Sequence, residues 1–113
     1  MKQLELAQIS KELYDSVQSL GRGRKILFDY AKTLALAEKE YRIALAKEIM
    51  RLKADKVPAT ITSDLARGNT ASQRYDRDLA ETMWKAAIKN LEALQSEQTA
   101  LQSILKWQNE VPR

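Results

Sequence analysis

Apolar residues recur at alternating intervals of three and four over two long stretches of this chain, residues 6–52 and 80–111. This spacing keeps one stripe of an α-helix facing a partner helix along its whole length. Pro58 and Gly68 lie between the two stretches, where the chain is expected to reverse. The pattern predicts an all-α protein built as a long antiparallel helical hairpin of coiled-coil type.

The positions that follow this spacing are called the seam. In the first stretch the seam consists of Leu6, Ile9, Leu13, Ser16, Leu20, Gly23, Leu27, Tyr30, Leu34, Ala37, Tyr41 and Ala44. In the second stretch it consists of Ala80, Trp84, Ala87, Leu91, Leu94, Gln98, Leu101, Leu105 and Gln108. The second stripe is widened by Met83, Ile88, Ile104, Trp107 and Val111. It is therefore wider than one partner helix requires.

Gly21 and Gly23 interrupt the first stretch, and each costs about 1 kcal/mol relative to alanine inside a helix. The seam nevertheless continues through them in the same phase. This favours one helix over about residues 3–54, weakened or kinked at 21–23. The alternative is a turn at this place that folds residues 3–20 back as a third helix, giving a monomeric three-helix bundle.

An ordered connector is predicted over residues 55–71, followed by a second helix over about residues 72–111, all within one domain of residues 1–113. Pro58 should end the first helix, because the residue before a proline avoids helical geometry. Three apolar side chains of the connector are expected to fold back and close the end of the hairpin: Val57, Ile61 and Leu65.

The connector also carries capping residues. Thr62 or Ser63 is expected to cap a single helical turn at residues 65–67. Gly68 should close that turn in a left-handed conformation. The second helix would then be capped by Thr70 or Ser72.

Composition narrows the classes of function. Cysteine and histidine are both absent, which removes disulfides, thiolate nucleophiles, most zinc sites and the commonest proton shuttle. No constellation typical of catalysis, metal binding or cofactor binding is recognisable, so we expect no enzyme. No apolar run has the length of a membrane span or of a secretory signal, so we expect a cytoplasmic protein without membrane contact.

The positive charge is concentrated in the middle of the chain. The net charge is +4, and residues 42–77 carry eight basic and four acidic side chains. The candidates for contact with nucleic acid there are Arg51, Lys53, Lys56 and Arg67. Acidic residues are interleaved with them, so ordinary solvated helix surface is the preferred interpretation and contact with nucleic acid is the alternative.

The width of the second stripe predicts a partner. A single hairpin would leave part of that stripe uncovered, and a second copy could cover it in a four-helix bundle with twofold symmetry. The residues expected at this interface are Trp84, Ile88, Leu91, Gln98, Leu101, Leu105 and Trp107. For the two tryptophans, packing in the chain's own core is the preferred interpretation, and an exposed binding anchor is the alternative. Gln98 either finds a buried hydrogen-bond partner or reaches solvent at the edge.

Residues 38–77 read EKEYRIALAKEIMRLKADKVPATITSDLARGNTASQRYDR, and the chain ends in a helix with LQSILKWQNEV. These segments resemble a group of small helical proteins of unassigned activity that are encoded by phages and prophages of Gram-positive bacteria. In that group an EYR.ALAKEI.RL helix meets a VPAT…DLARG connector. The genes of the group lie near those for single-strand annealing, single-strand binding and replication. The resemblance covers residues 38–111 and implies a context rather than a mechanism.

The uncovered stripe and the resemblance together predict a non-enzymatic phage interaction protein. It would act in DNA recombination or replication by binding a phage or host protein, or DNA. The alternative is an inhibitor of a host bacterial defence enzyme that acts through protein–protein contact. The positive net charge argues against acidic DNA mimicry as the means of inhibition.

Overall fold

Three α-helices account for residues 2–110, the part of the backbone that the computed structural model describes; side chains are described for residues 5–108. Helix α1 spans Lys2–Ala54, α2 spans Ala59–Asn69 and α3 spans Ala71–Glu110. Residues 2–110 contain no strand. The prediction of an all-α fold is confirmed. Val111, which was expected to extend the apolar stripe, lies outside the described residues.

The helices contribute to two compact units. Unit 1 consists of Met1–Phe28 and Ala86–Arg113, and thus contains the first part of α1 and the last part of α3. Unit 2 consists of Asp29–Lys85 and contains the rest of α1, all of α2 and the beginning of α3.

The seam is withdrawn from solvent in both units. Every seam position predicted from the spacing is buried or half-buried. The most buried apolar seam residues are Leu20 and Leu101 in unit 1 and Tyr41 and Ala80 in unit 2. No large side chain among the described residues is completely buried. The seam is therefore a narrow core, and the alternation of three and four identified its members.

Helix α1 continues through Gly21 and Gly23 without interruption, so residues 3–20 do not form a separate third helix. The two glycines differ in their surroundings. A Cβ atom at Gly23 would lie 3.2 Å from Leu91 Cδ1 and 3.6 Å from Leu94 Cδ1, whereas one at Gly21 would meet nothing within 4 Å. The missing side chain of Gly23 therefore lets α1 lie close against α3 within unit 1.

The end of α1 forms a Schellman motif without glycine. Lys56 has a φ of 60°, in the left-handed region. Its N–H donates to the Lys53 carbonyl at 3.0 Å, and the Val57 N–H donates to the Leu52 carbonyl at 3.1 Å. Leu52 is buried and Val57 is half-buried, as the hydrophobic contact of this motif requires. The assignment of the left-handed residue to Gly68 was wrong, since no described glycine has a positive φ.

Helix α2 is longer than the single turn expected at residues 65–67. It begins directly after Pro58, whose φ of −53° and ψ of 136° lead the chain into the helix without a side-chain cap. Thr62 and Ser63 therefore lie inside the helix, and their predicted role as caps was wrong. The Thr62 hydroxyl instead donates to the Pro58 carbonyl at 2.9 Å.

Small residues form the buried face of α2 and of the residue that follows it. Thr62 and Ala66 in α2 are 3% and 0% exposed, and Thr70 directly after α2 is 3% exposed. Ile61 and Leu65, which were expected to fold inward, are 46% and 41% exposed. The expectation failed because small side chains allow a closer approach of helices. A threonine hydroxyl can also be buried when it donates to a carbonyl one turn earlier, as Thr70 does to Ala66 at 2.7 Å.

A single residue, Thr70, separates α2 from α3. Its N–H donates to the Ala66 carbonyl and its carbonyl accepts from the Arg74 N–H, both at 3.1 Å. Thr70 thus lies directly before α3, at one of the two positions predicted for the cap of the second helix. Its hydroxyl is used for the bond to α2, so it does not cap α3 by a side-chain hydrogen bond.

Contacts in unit 2 establish its antiparallel arrangement. Asn69 at the end of α2 donates to Glu48 at 2.8 Å. Farther along, the Arg77 guanidinium of α3 lies 4.8 Å from the centre of the Tyr41 ring. As the chain advances from Asn69 to Arg77, the partner on α1 moves back from Glu48 to Tyr41. The helices therefore run antiparallel, and unit 2 is a helical hairpin.

The glycine pair in α1 generates a first prediction. We expect Gly21→Ala to raise the free energy of unfolding by about 1 kcal/mol, because alanine has the higher helix propensity. Gly23→Ala should gain less or lose stability, because its methyl would press on Leu91. Urea unfolding followed by circular dichroism, at equal protein concentration, measures both. Equal stabilisation by the two substitutions would contradict the close approach at Gly23.

The turn generates a second prediction. Lys56→Gly should stabilise the protein by about 1 kcal/mol, because glycine adopts a left-handed conformation without the steric cost that a Cβ brings. Lys56→Ala is the matched control: it removes the same charge and keeps the Cβ, so it should give no such gain. Thermal and urea unfolding measure the difference. Equal effects of the two variants would mean that loss of charge, not backbone conformation, sets the result.

Candidate interaction surface

Two of the four basic residues expected to contact nucleic acid are engaged by carboxylates in unit 2. Arg51 pairs with Glu48 and, at 3.2 Å, with Asp55. Arg67 lies 4.0 Å from Asp64. These pairs reduce the positive charge that the sequence places near the turn.

Lys53 and Lys56 remain exposed and have no ion pair among the described residues. The structure thus places Arg51, Lys53 and Lys56 around one turn, and Arg67 on α2. Two unpaired lysines form a smaller basic site than the four-residue set that was predicted.

Glu48 links α1 to the end of α2 within unit 2. It accepts hydrogen bonds from Arg51 on the same helix and from Asn69 at the end of α2. The bonds from Arg51 and then Asn69 lower the pKa of Glu48 below its usual value. Because its pKa is lowered, the Glu48 carboxylate stabilises the fold at every pH above the ordinary pKa of a glutamate. This stabilisation is lost as the pH falls through the lowered pKa. Arg51 is therefore part of the link between α1 and α2.

The residues expected at a dimer interface fall into different environments. Those at seam positions are turned inward and are buried or half-buried: Trp84, Leu91, Gln98, Leu101 and Leu105. Ile88 is half-buried as well. Trp107 is 66% exposed, so the interpretation that it packs in the chain's own core was wrong.

Gln98 has no hydrogen-bond partner among the described residues, and it is absent from the buried polar atoms that lack one. Its half-buried amide therefore reaches solvent, the second of the two alternatives. Among the described residues, the buried polar side-chain atoms without a partner belong to the seam residues Ser16 and Gln108 and to Gln73, which precedes the second seam.

A line of apolar side chains on the outer side of α1 in unit 2 escaped the sequence analysis. Leu36, Ile43 and Met50 are 56%, 45% and 70% exposed. They are seven residues apart, and at 100° per residue they lie roughly 130° from the middle of the seam. This set is called the outward line. In the sequence this set is visible as a second seven-residue repeat of apolar residues, offset from the seam. Only the exposure of the three side chains shows that no other described part of the chain covers them.

Lysines flank the outward line on both sides. Lys39, Lys47 and Lys53 each lie three or four residues from a member of the line, which makes them its neighbours on the helix surface. They form no ion pair with any described residue. Glu40 is the carboxylate at the same spacing. The surface around the line is therefore basic.

A second exposed apolar set lies on α3 in unit 2, at intervals of four: Tyr75, Leu79 and Met83. The charged residues next to it include Asp76 and Asp78. Asp78 pairs with Arg77 at 2.8 Å. Its charge surroundings therefore differ from those of the outward line, which makes it a suitable control surface.

Comparison with known proteins gives no relative from which a role could be transferred: no protein-family model, no curated protein and no solved structure matches this chain. Within the described part, no cluster of three or more acidic side chains is arranged to hold a metal ion. None of the described helices combines the length and the apolar character needed to cross a membrane.

Proposed function

We propose that the chain is a non-enzymatic interaction protein that acts in phage DNA recombination or replication by binding a partner protein or DNA. The observation that carries the proposal is the excess of exposed over buried apolar side chains. Among residues 5–108, the buried apolar residues are Leu20, Tyr41, Leu52, Ala66, Ala80 and Leu101, two of them alanines. Larger side chains, including Trp107, Phe28 and Met50, are 65–70% exposed. Exposed apolar surface of this kind is typical of contact sites.

The accessible surface area supports the same proposal. The chain exposes 8702 Å². A compact monomer of 12.9 kDa exposes about 6,300 Å². The difference, roughly 2,400 Å², exceeds the area of about 800 Å² that each partner buries in a standard protein interface. The area in excess of a compact monomer is thus large enough for an interface of standard size.

A second copy of the chain is the first partner in this proposal, and the two copies form a four-helix bundle. Unit 1 offers the apolar surface for it. Trp107 and Tyr14 are 66% and 65% exposed there, and Val17 and Ile104 are 46% and 45% exposed. Large exposed aromatic residues are typical anchors of interfaces.

The dimer proposal predicts the effect of one substitution. Trp107→Glu should convert the dimer into a monomer, because it places a charge at the interface. Met50→Glu on unit 2 is the control and should leave the dimer intact. Sedimentation equilibrium at micromolar concentration measures the mass of both variants and of the original chain. A strictly monomeric original chain would rule out the dimer.

The proposed role in phage DNA recombination or replication is supported by the resemblance to small helical proteins encoded near phage genes for these processes. That likeness concerns residues 38–111, which include Ile43 and Met50 of the outward line and the turn around Lys56. The lysines near the turn leave DNA as a possible ligand beside protein, and experiment must separate the two.

A copurification experiment tests the proposed function. The tagged chain is expressed during phage infection, cross-linked and purified with and without nuclease treatment. We expect a recombination or replication protein to be enriched over a tag-only control, and its persistence after nuclease treatment identifies direct protein contact. Recovery of DNA alone supports the DNA branch. Recovery of a host defence enzyme instead would favour the inhibitor hypothesis, and recovery of none of these would refute the proposal.

A further inference from the structure

The outward line has the dimensions of a helix-binding surface. From Leu36 to Met50 the helix rises by about 21 Å, at 1.5 Å per residue. Its members are 56%, 45% and 70% exposed, in chain order. Residues seven apart keep facing the same partner helix when two helices pack along their length. The line thus matches one face of a partner helix of about four turns.

The charges around the line select the chemistry of that partner. Lys39 and Lys53 lie on one side of it and Lys47 lies on the other. None of the three is neutralised by an ion pair with a described residue. A partner with acidic residues beside its apolar face would pair with lysines on both flanks, in the way that flanking charges pair in coiled coils.

A second copy of the chain fits this surface poorly. In an antiparallel pair centred on Ile43, Leu36 would meet Met50 of the other copy. Each flank of the line would then lie beside the same flank of that copy, so Lys39 and Lys53 of both copies would share one side, and like charges there destabilise the pair. The line is therefore a surface for a partner of opposite charge, separate from the apolar surface of unit 1.

The shape of the surface favours a helix over a membrane or DNA. Helices that lie in a membrane surface carry a broad apolar face with large aromatic residues. The outward line is one residue wide and contains no aromatic residue. Contacts to DNA phosphates use positive charge and need no apolar line.

We infer that the outward line and its lysines are a docking site for an acidic amphipathic helix of a partner protein. This inference rests on the proposed function and adds the chemistry of the partner. The apolar residues of that helix pack on Leu36, Ile43 and Met50. Its carboxylates pair with the flanking lysines.

Binding of defined probes tests the inference. Two fluorescein-labelled peptides of 18 residues share one leucine pattern and one helix-locking staple; glutamate flanks the leucines in the first and lysine flanks them in the second. Fluorescence anisotropy should show at least tenfold tighter binding of the glutamate peptide at 50 mM salt. The ratio should shrink at 500 mM salt, because salt screens exposed charges.

Three sets of variants locate the binding. The triple variant L36S/I43S/M50S should abolish binding of the glutamate peptide, and K39Q/K47Q/K53Q should reduce the preference between peptides to below threefold. The control variant Y75S/L79S/M83S changes the exposed apolar set of α3 and should bind as the original chain does. Because the lysine variant alters only exposed side chains, it keeps the test decisive should the serine variant fold poorly.

Several outcomes would overturn the inference. These are equal affinity for the two peptides, no binding of either, or no effect of the variants on the line. Tighter binding to phosphatidylglycerol vesicles or to a duplex oligonucleotide, lost in the same variants, would assign the surface to lipid or DNA. If proteins copurifying during infection are retained by both variants of the line, the docking site is wrong while the proposed function stands. If the original chain recovers nothing, the proposed function itself fails.

Discussion

Burial along the seam is the interaction on which the rest of the structure depends. Each helix turns one narrow stripe inward, and small seam residues such as Gly23 and Ala80 let the helices approach closely. A stripe of this width buries few large side chains, and none is completely buried among the described residues. A core this small leaves the outer faces of the helices free to carry apolar and charged groups that folding does not use.

Local hydrogen bonding at the turn decides how unit 2 is closed. The Schellman motif around Lys56 reverses the chain within a few residues, and Pro58 starts α2 at once. The Glu48 carboxylate then joins the end of α2 to α1 through Asn69. The same network engages Arg51, so the element that stabilises the turn also lowers the positive charge available for a ligand.

The sequence predicted the seam better than the turn or the outward line, for physical reasons. Seam positions follow from a periodicity that any long amphipathic helix must obey, so α1 could be followed through Gly21 and Gly23. The left-handed position could not be located from intrinsic preference alone. Glycine has the stronger preference for that conformation, but Gly68 lies inside α2, and the backbone hydrogen bonds that end α1 place Lys56 in the left-handed position instead.

The outward line was missed because a repeat in a second phase has no meaning until burial is known. Its three side chains make little contribution to the core at 45–70% exposure, so folding does not account for their apolar character. Exposed leucine, isoleucine and methionine add a risk of aggregation that polar residues would avoid. Lys39 and Lys53 on one flank limit that risk by charge repulsion between copies, while they leave the line open to an acidic partner. Attraction of one partner and repulsion of a second copy thus arise from the same side chains.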